Sequence, residues 1–498
     1  MSFPYLTAIV FLPAVGAIII AALISASHAR LMRWIAAIFT FIPLVLSLVL
    51  FAGFDRSATA AGVIQFEEEL PWIAPLNAFY HLGVDGLSLP LVVLTAFLGF
   101  VVVLISWKEH LRIREYFAWL LLLETSILGV FTSLDMLLFF IFWEIEVIPM
   151  YFLISIWGSG RKAYSSMKYV IYTLSGSALM LAGILSIYFT TGSLNMVELS
   201  QKGLAMVQTV MPAAAIFFLL LIGFAVKLPV FPLHTWLPDA HTDAPTAGSV
   251  MLAGALIKMG GYGIIRIVVS IFPQVARDYA NLLVLFAVIS ILYGAAVTLR
   301  QTDLKRMIAY SSVSHMGYVL LGVFALGNVS LTGAALQMVS HGLITGLLFA
   351  MAGLTMHNVG ERDLRKLGGL ARQLPIITVI FSFAGLGGLG LPLTSGFAAE
   401  FLVFIGSFTS TTVAGIQVYT ILAVLGVVFA AGYILWMLQR VFYGPVLTQY
   451  NTAKDADALE RVYMFAFVAL ILLVGIYPAI LTDIISLGVA PITKLVGG

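Results

Sequence analysis

The feature that most restricts this chain is a succession of apolar stretches, each long enough to cross a lipid bilayer and separated from the next by a few polar residues. A helical crossing needs about 20 predominantly apolar residues. Fourteen such runs can be marked, at 5–26, 34–53, 87–107, 116–132, 135–156, 167–190, 212–238, 248–270, 279–299, 304–325, 330–357, 374–408, 413–441 and 461–484. Water cannot be the main solvent of a fold built from them. Of the 498 residues, 61% are apolar and only 10% are charged, where a soluble domain has about 25% charged residues. The first run has no basic stretch before it and no clear small-residue cleavage site after it, so it reads as a crossing and not as a cleaved signal. The expected fold is an all-α integral membrane protein with about fourteen transmembrane helices.

Basic residues test this count, because Lys and Arg collect in cytoplasmic loops when a topology is correct. Alternate loops, counted from the one after the first run, hold eighteen of them, and the opposite side holds five: Arg56, Lys202, Arg266, Arg277 and Lys494. The bias places both termini on the non-cytoplasmic side of a bacterial-type inner membrane and fits an even number of crossings. Two basic residues belong to no loop. Lys227 lies about 15 residues into the seventh run and Lys258 about 10 into the eighth. A lysine at a helix centre is disfavoured by about 2.5 kcal/mol or more and usually faces a bundle interior or a watery cavity. Snorkelling to the interface is the plain alternative, and the depth of both residues argues against it.

Most acidic residues fall in loops as solvated charge, with Asp85 and Asp135 read as helix caps. Glu124, Glu144, Glu146 and Glu400 do not. Glu144 and Glu146 sit mid-run in FFIFWEIEVIPMYF, and on a regular helix they point about 200° apart, so they cannot share one pore. Two runs are interrupted where freed backbone groups would have no water. The seventh carries Pro229, Pro232 and Pro238 just after Lys227; the twelfth carries Gly385, Gly387, Gly388, Gly390, Pro392 and Gly396 just before Glu400. Paired broken helices mark ion pathways in transporters built from inverted repeats. An offset of five helices would place runs four to eight and nine to thirteen upside down relative to each other. The organisation expected is 1–115 with three crossings, 116–270 as the first five-helix repeat, 271–442 as its inverted copy, and 443–498 as a loop and last crossing. Two unrelated proline kinks are the alternative.

Two histidines stand mid-membrane among polar neighbours: His315 in AYSSVSHMGYVLL and His341 in LQMVSHGLITGLL. Imidazole exchanges protons near neutral pH. His234 and His241, near Asp239 and Asp243, give only a weak metal spacing, and no metal is expected. Several function classes fall away. There is no cysteine, which removes thiolate metal sites and Cys-held iron–sulfur clusters. The net charge of +2 has no basic stripe for nucleic acid. GLGGLGLP lies inside a membrane run without a preceding strand, so it is no phosphate loop. The inventory suits moving charge, not covalent chemistry.

The stretch KLPVFPLHTWLPDAHTDAPTAGSVMLAGALIKMGGYG resembles the signature of the antiporter-like membrane subunits of respiratory complex I. MLLFFIFWEIEVIPMYFLISIWG, RMIAYSSVSHMGYVLLG, LQMVSHGLITGLLFAMAG and GLGLPLTSGFAAEFLVFIGSF resemble helices five, ten, eleven and twelve of its M, or chain 4, branch. Glu400 stands where the L and N branches carry lysine. The resemblance implies a proton-translocating subunit of an NADH:quinone oxidoreductase. It pairs Glu144 with Lys227, makes Lys258 the central lysine and His315 and His341 the bridging axis, and puts Glu400 at the far half-channel. Glu146 is an additional acid without an implied role. Cofactors are expected on partner subunits only (FMN, iron–sulfur clusters, NADH and quinone), with L- and N-type chains and membrane lipid as neighbours. The competing readings are an antiporter subunit of the Mrp type, the related membrane-bound hydrogenase subunit, and a passive scaffold, which would not need two buried lysines.

Overall fold

The computed structural model of the chain describes residues 3–25, 27–60, 62–202 and 210–497. Among them, eleven helices are long and apolar enough to cross a membrane: Tyr5–Leu23, Ala29–Ala52, Ile113–Thr132, Met136–Trp157, Lys162–Thr191, Thr246–Val269, Ala280–Thr298, Leu304–Phe324, Asn328–Val359, Ile416–Val441 and Ala458–Ile476. Four shorter apolar helices, Leu89–Ile105, Ala213–Lys227, Pro375–Gly388 and Ser395–Phe408, accompany them. Each apolar run therefore contains at least one helix, and most helix ends fall within a few residues of the expected limits. Asp135 caps the fifth run by accepting from Leu137 and Leu138 N–H at 2.8 and 3.1 Å. Asp457 and Glu460 form a reciprocal capping box at the last run, the arrangement that satisfies two orphan N–H groups together.

Four departures from the expected runs stand out. The segment between the second and third runs is not loop but a β-hairpin, Gln65–Ile73 paired antiparallel with Ala78–Val84. Its Glu68 is not merely solvated: the carboxylate accepts from Leu6 and Thr7 N–H at 2.7 and 3.0 Å, capping the first helix from outside. The fourteenth run does not continue to residue 484; Ala458–Ile476 stops at Tyr477-Pro478 and a separate helix, Ala479–Leu495, follows. Proline restricts the residue before it to extended backbone, so Tyr477 cannot carry the helix onward. Finally, the fifth run breaks at Glu146, between Met136–Ile145 and Val147–Trp157, and the eighth contains two π-helical stretches, Leu252–Leu256 and Ile264–Val269.

The polar runs form the centre. The most apolar window of Asn328–Val359 is 100% buried and those of Thr246–Val269 and Leu304–Phe324 are 94% buried, against 33% for Ala29–Ala52. A helix this enclosed can carry polar side chains that face protein instead of lipid. Close approach depends on small residues: at Gly99 any Cβ would overlap the Glu124 carboxyl group of the neighbouring helix.

Ion pairs sort by the end of the molecule they occupy. Lys168 reaches Asp239 at 2.7 Å, with Arg306 and Arg161 at 3.6 and 3.8 Å from the same carboxylate. Arg362 pairs with Asp303 at 2.8 Å. Lys108 bridges Asp457 and Glu460 at 2.8 Å each, and these two hydrogen bonds hold its ammonium above the ordinary lysine range. All of these join loops assigned to one side by charge. The opposite set, Arg56 with Asp483 at 3.3 Å and Arg266 with Asp85 at 2.6 Å, joins segments assigned to the other.

Candidate proton-transfer site

The broken seventh run positions the first charge. Ala213–Lys227 ends on the lysine itself, and Pro229 and Pro232 then prevent the helix from resuming until Trp236. Side chains take up the backbone groups that the break frees. Trp236 Nε1 donates to Val226 O at 2.9 Å, and Phe231 N–H donates to Ser290 Oγ at 3.0 Å. Lys227 is 1% exposed. Its Nζ donates to Glu146, whose other carboxylate oxygen accepts from Tyr169 Oη at 2.7 Å. The rings of Trp143 and Tyr169 flank the ammonium at 5.3 and 5.5 Å, within cation–π range.

The lysine partner is therefore Glu146, and the expected pairing of Lys227 with Glu144 is corrected. Glu144 is only partly buried, and its Oε1 has no hydrogen-bond partner. The expectation came from matching a motif onto a regular helix. The helix is interrupted at Glu146 because Pro149 has no N–H to donate to Ile145 O.

A second group lies along the central helices. Lys258 is fully buried; its Nζ donates to Ala253 O in the π-helical stretch and lies 2.8 Å from His341 Nδ1. The His341 ring centre is 5.5 Å from that of His315, and His315 Nδ1 is 3.2 Å from Glu400 Oε1. Four of the six expected site residues thus form one line. A small cavity of about 10 Å³ opens along it, lined by Ser311, Gln337, Tyr433 and the two histidines with Glu400. Gln337 Oε1, His341 Nε2 and Tyr433 Oη face the interior without a protein partner. Gly390, in the break of the twelfth run, has φ +78° and stands close under the Glu400 carboxylate; this left-handed backbone suits glycine and few other residues.

The geometry defines chemistry at named atoms. If Lys258 is an ammonium, its hydrogen bond makes His341 Nδ1 an acceptor and leaves the ring proton on Nε2, toward the cavity. If the lysine is neutral, Nδ1–H can donate to it instead. The exchange these atoms allow is between Lys258 Nζ and His341 Nδ1; His341 Nε2 is not hydrogen-bonded to His315. The Lys227–Glu146 pair is not hydrogen-bonded to this line among the described residues. Gly260 of the Lys258 helix packs closely against the backbone of Phe224 and Leu228, which flank Lys227.

His234 and His241 are buried, and neither ring nitrogen of either has a hydrogen-bond partner in the structure. His234 lies among Phe231, Tyr293 and Tyr310, and His241 stacks on Phe349 at 4.6 Å. No cluster of three potential ligands for a metal occurs among the described residues. Sequence reasoning missed Trp143, Tyr169 and Tyr433. Each is an aromatic residue within an apolar run, and nothing in the pattern separates it from the ordinary core aromatics.

This bundle, with two discontinuous helices and a buried lysine beside each of two polar groups, defines a class of ion-translocating membrane chain. Residues 133–426 match the family described as NADH:quinone oxidoreductase/Mrp antiporter, transmembrane, and the chain belongs to it. Subunit M of the NADH-quinone oxidoreductase of Rhodobacter capsulatus is 38% identical over 98% of this chain and 96% of its own length. Chain 4 1 of the NAD(P)H-quinone oxidoreductase of Synechococcus elongatus is 39% identical over 97% and 90%, and subunit M of the F420H2 dehydrogenase of Methanosarcina mazei is 37% identical over 91% of both. Among solved structures, a chain of respiratory complex I from Thermus thermophilus with bound NADH superposes with a TM-score of 0.87 at 26% identity, covering 99% of this chain and 100% of that one. A chain of the Mrp complex from Dietzia superposes at 0.86 with 21% identity, covering 100% of both chains. This second likeness speaks for the fold alone.

Proposed function

We propose that this chain is a proton-translocating membrane-arm subunit of an NADH:quinone oxidoreductase. The observation that carries the reading is the buried line from Lys258 through His341 and His315 to Glu400, in a chain whose near-full-length relatives are M-type subunits of quinone-linked oxidoreductases. The shorter helices cross with the longer ones, giving fourteen crossings. Residues 116–270 and 271–442 are inverted copies, 1–115 adds three crossings and 443–498 the last. In this reading the break after Lys227 opens a half-channel to one side and the break before Glu400 opens one to the other. The polar line joins them laterally. Lys227, Lys258, His315, His341 and Glu400 carry the proton, and Glu144 is assigned with them as a charged group of the same pathway.

The basic loops face the cytoplasm of a bacterial-type inner membrane, with both termini opposite. Redox chemistry resides elsewhere: FMN, iron–sulfur clusters, NADH and quinone are held by partner subunits, and L- and N-type chains flank this one in the lipid. Purified without partners, the chain is expected to oxidise no NADH, which a spectrophotometric assay of the isolated chain checks. The Mrp-type antiporter reading has only the shared fold and family in its favour.

The test is proton uptake by inside-out vesicles whose native chain is replaced by Lys258→Met or Glu400→Gln. Proton-transfer groups contribute on the order of 10²–10⁴-fold, so NADH-driven uptake is expected to fall to about a tenth or below, with the assembled complex still present on native gels. Wild-type uptake in both variants would remove the reading.

A further inference from the structure

Ile416–Val441 has 26 residues, about 39 Å at 1.5 Å per residue, whereas the hydrocarbon core of a bilayer is about 30 Å thick. Its last turn therefore stands at the level of the lipid headgroups. Arg440 occupies that turn and is exposed, with its guanidinium over the Trp436 ring at 4.6 Å. Charges on the neighbouring 361–366 segment are already matched: Arg365 with Asp363 at 2.7 Å, Lys366 with Glu361 at 3.1 Å and Arg362 with Asp303 at 2.8 Å. Arg440 has no such carboxylate among the described residues.

Beside it lies a cavity of about 340 Å³, at the lower end of the sizes usual for small-molecule sites. Buried Leu364 and Leu367 form its floor, half-buried Trp436 a wall, and exposed Arg365, Gln439 and Arg440 the rim. No carboxylate lines it among the described residues. The segments on either side are fixed to each other. Ala371 N–H donates to Phe442 O at 3.1 Å, and Gly369, at φ +62°, lies so close to the Val446 backbone that a Cβ would overlap it. The groove is thus preformed, apolar below and cationic above. Its helix is turned to lipid: the most apolar window is 39% buried, and Leu435 and Tyr443 on either side of Arg440 are 52% and 61% exposed.

We propose that this groove binds the headgroup of an anionic phospholipid, with the phosphate on Arg440 and the glycerol and first methylenes against Trp436, Leu364 and Leu367. Basic pockets beside membrane helices recognise such headgroups through charge, and an indole suits the boundary between headgroup and hydrocarbon. A zwitterionic choline lipid would bring its own cation towards two arginines. Free phosphate would gain the charge and leave the apolar floor in water. The proposal requires only that the helix crosses a membrane, so it stands or falls separately from the proton-translocating reading.

The test places a photoreactive benzophenone side chain at Gln439 in the whole complex, reconstituted in nanodiscs with equal mole fractions of phosphatidylglycerol and phosphatidylcholine. After irradiation, adducts on this chain are counted by mass spectrometry. One basic side chain near an anionic surface is worth about fivefold in affinity, so phosphatidylglycerol adducts are expected to exceed phosphatidylcholine adducts by about that factor. Arg440→Gln should bring the two to equality, Arg440→Lys should keep the preference, and Lys454→Gln, which removes an exposed charge outside the groove, should leave it unchanged. Each variant is first shown to be in the assembled complex on native gels. Equal adducts with Arg440 in place, or a preference that survives Arg440→Gln, would overturn the proposal. So would a crosslink to another protein chain, which makes the groove a protein interface, or loss of the preference in millimolar inorganic phosphate at constant ionic strength, which makes it a site for the free anion.

Discussion

Vesicles carrying Lys227→Ala are expected to lose proton uptake almost completely while retaining the assembled complex. Two effects have to be separated in that result. Lys227 moves the proton, and it also neutralises Glu146, which is fully buried and otherwise bonded only to Tyr169. Removing one partner of a buried pair destabilises by about 3–5 kcal/mol, because the remaining charge is left without compensation. In practice the stranded carboxyl takes up a proton, which limits the loss. The double variant Lys227→Ala with Glu146→Gln removes the stranded charge by construction. It should restore the chain to wild-type abundance on native gels and leave uptake as low as in the single variant. Recovery of uptake in the double variant would mean that the lysine serves only to balance charge.

Gly99→Val is expected to have the largest effect on the fold itself. Gly99 lies on Leu89–Ile105 directly against the Glu124 carboxyl group of Ile113–Thr132, so that even a methyl group there would overlap it. Glu124 is 1% exposed and neither oxygen has a hydrogen-bond partner, so the carboxyl cannot swing toward an alternative one without opening the interface. Overpacking usually destabilises by about 1–3 kcal/mol, and a valine has two further methyl groups to place. The chain should fall severalfold in membrane abundance, measured by immunoblot of washed membranes. Glu124→Ala in the same chain removes the clashing group and should recover most of that loss. If the double variant is no better than Gly99→Val, the contact is not the cause.

How much of this was legible in the sequence depended on the kind of signal. The crossings were readable because lipid imposes one length and one polarity on each of them, so run limits and helix ends coincide within a few residues at most positions. The burial of Lys227, Lys258, His315, His341 and Glu400 inside the bundle was readable for the converse reason: a polar residue deep in an apolar run is disfavoured against lipid and faces protein. The inward-facing acid was not. Glu144 and Glu146 differ by two positions, and only the local winding of the backbone decides which one meets Lys227. The hairpin was hidden because Glu67, Glu68 and Glu69 in succession destroy the alternation that marks a strand.

The two breaks differ in when they can be completed as the chain is made. In the twelfth run, Ser395 meets Ser340 at 2.8 Å, and Ser340 has already been synthesised and inserted when Ser395 emerges. The seventh run has no such advantage. The N–H of Phe231 is satisfied by Ser290, which comes 59 residues later, and at about 5–20 residues per second that is a delay of roughly 3–12 s. Through that interval the bare amide has to stay hydrated, so the segment from Lys227 to Trp236 has to linger at a watery boundary while its flanking helix is already in lipid. The break after Lys227 is thus completed only by a residue synthesised well after it.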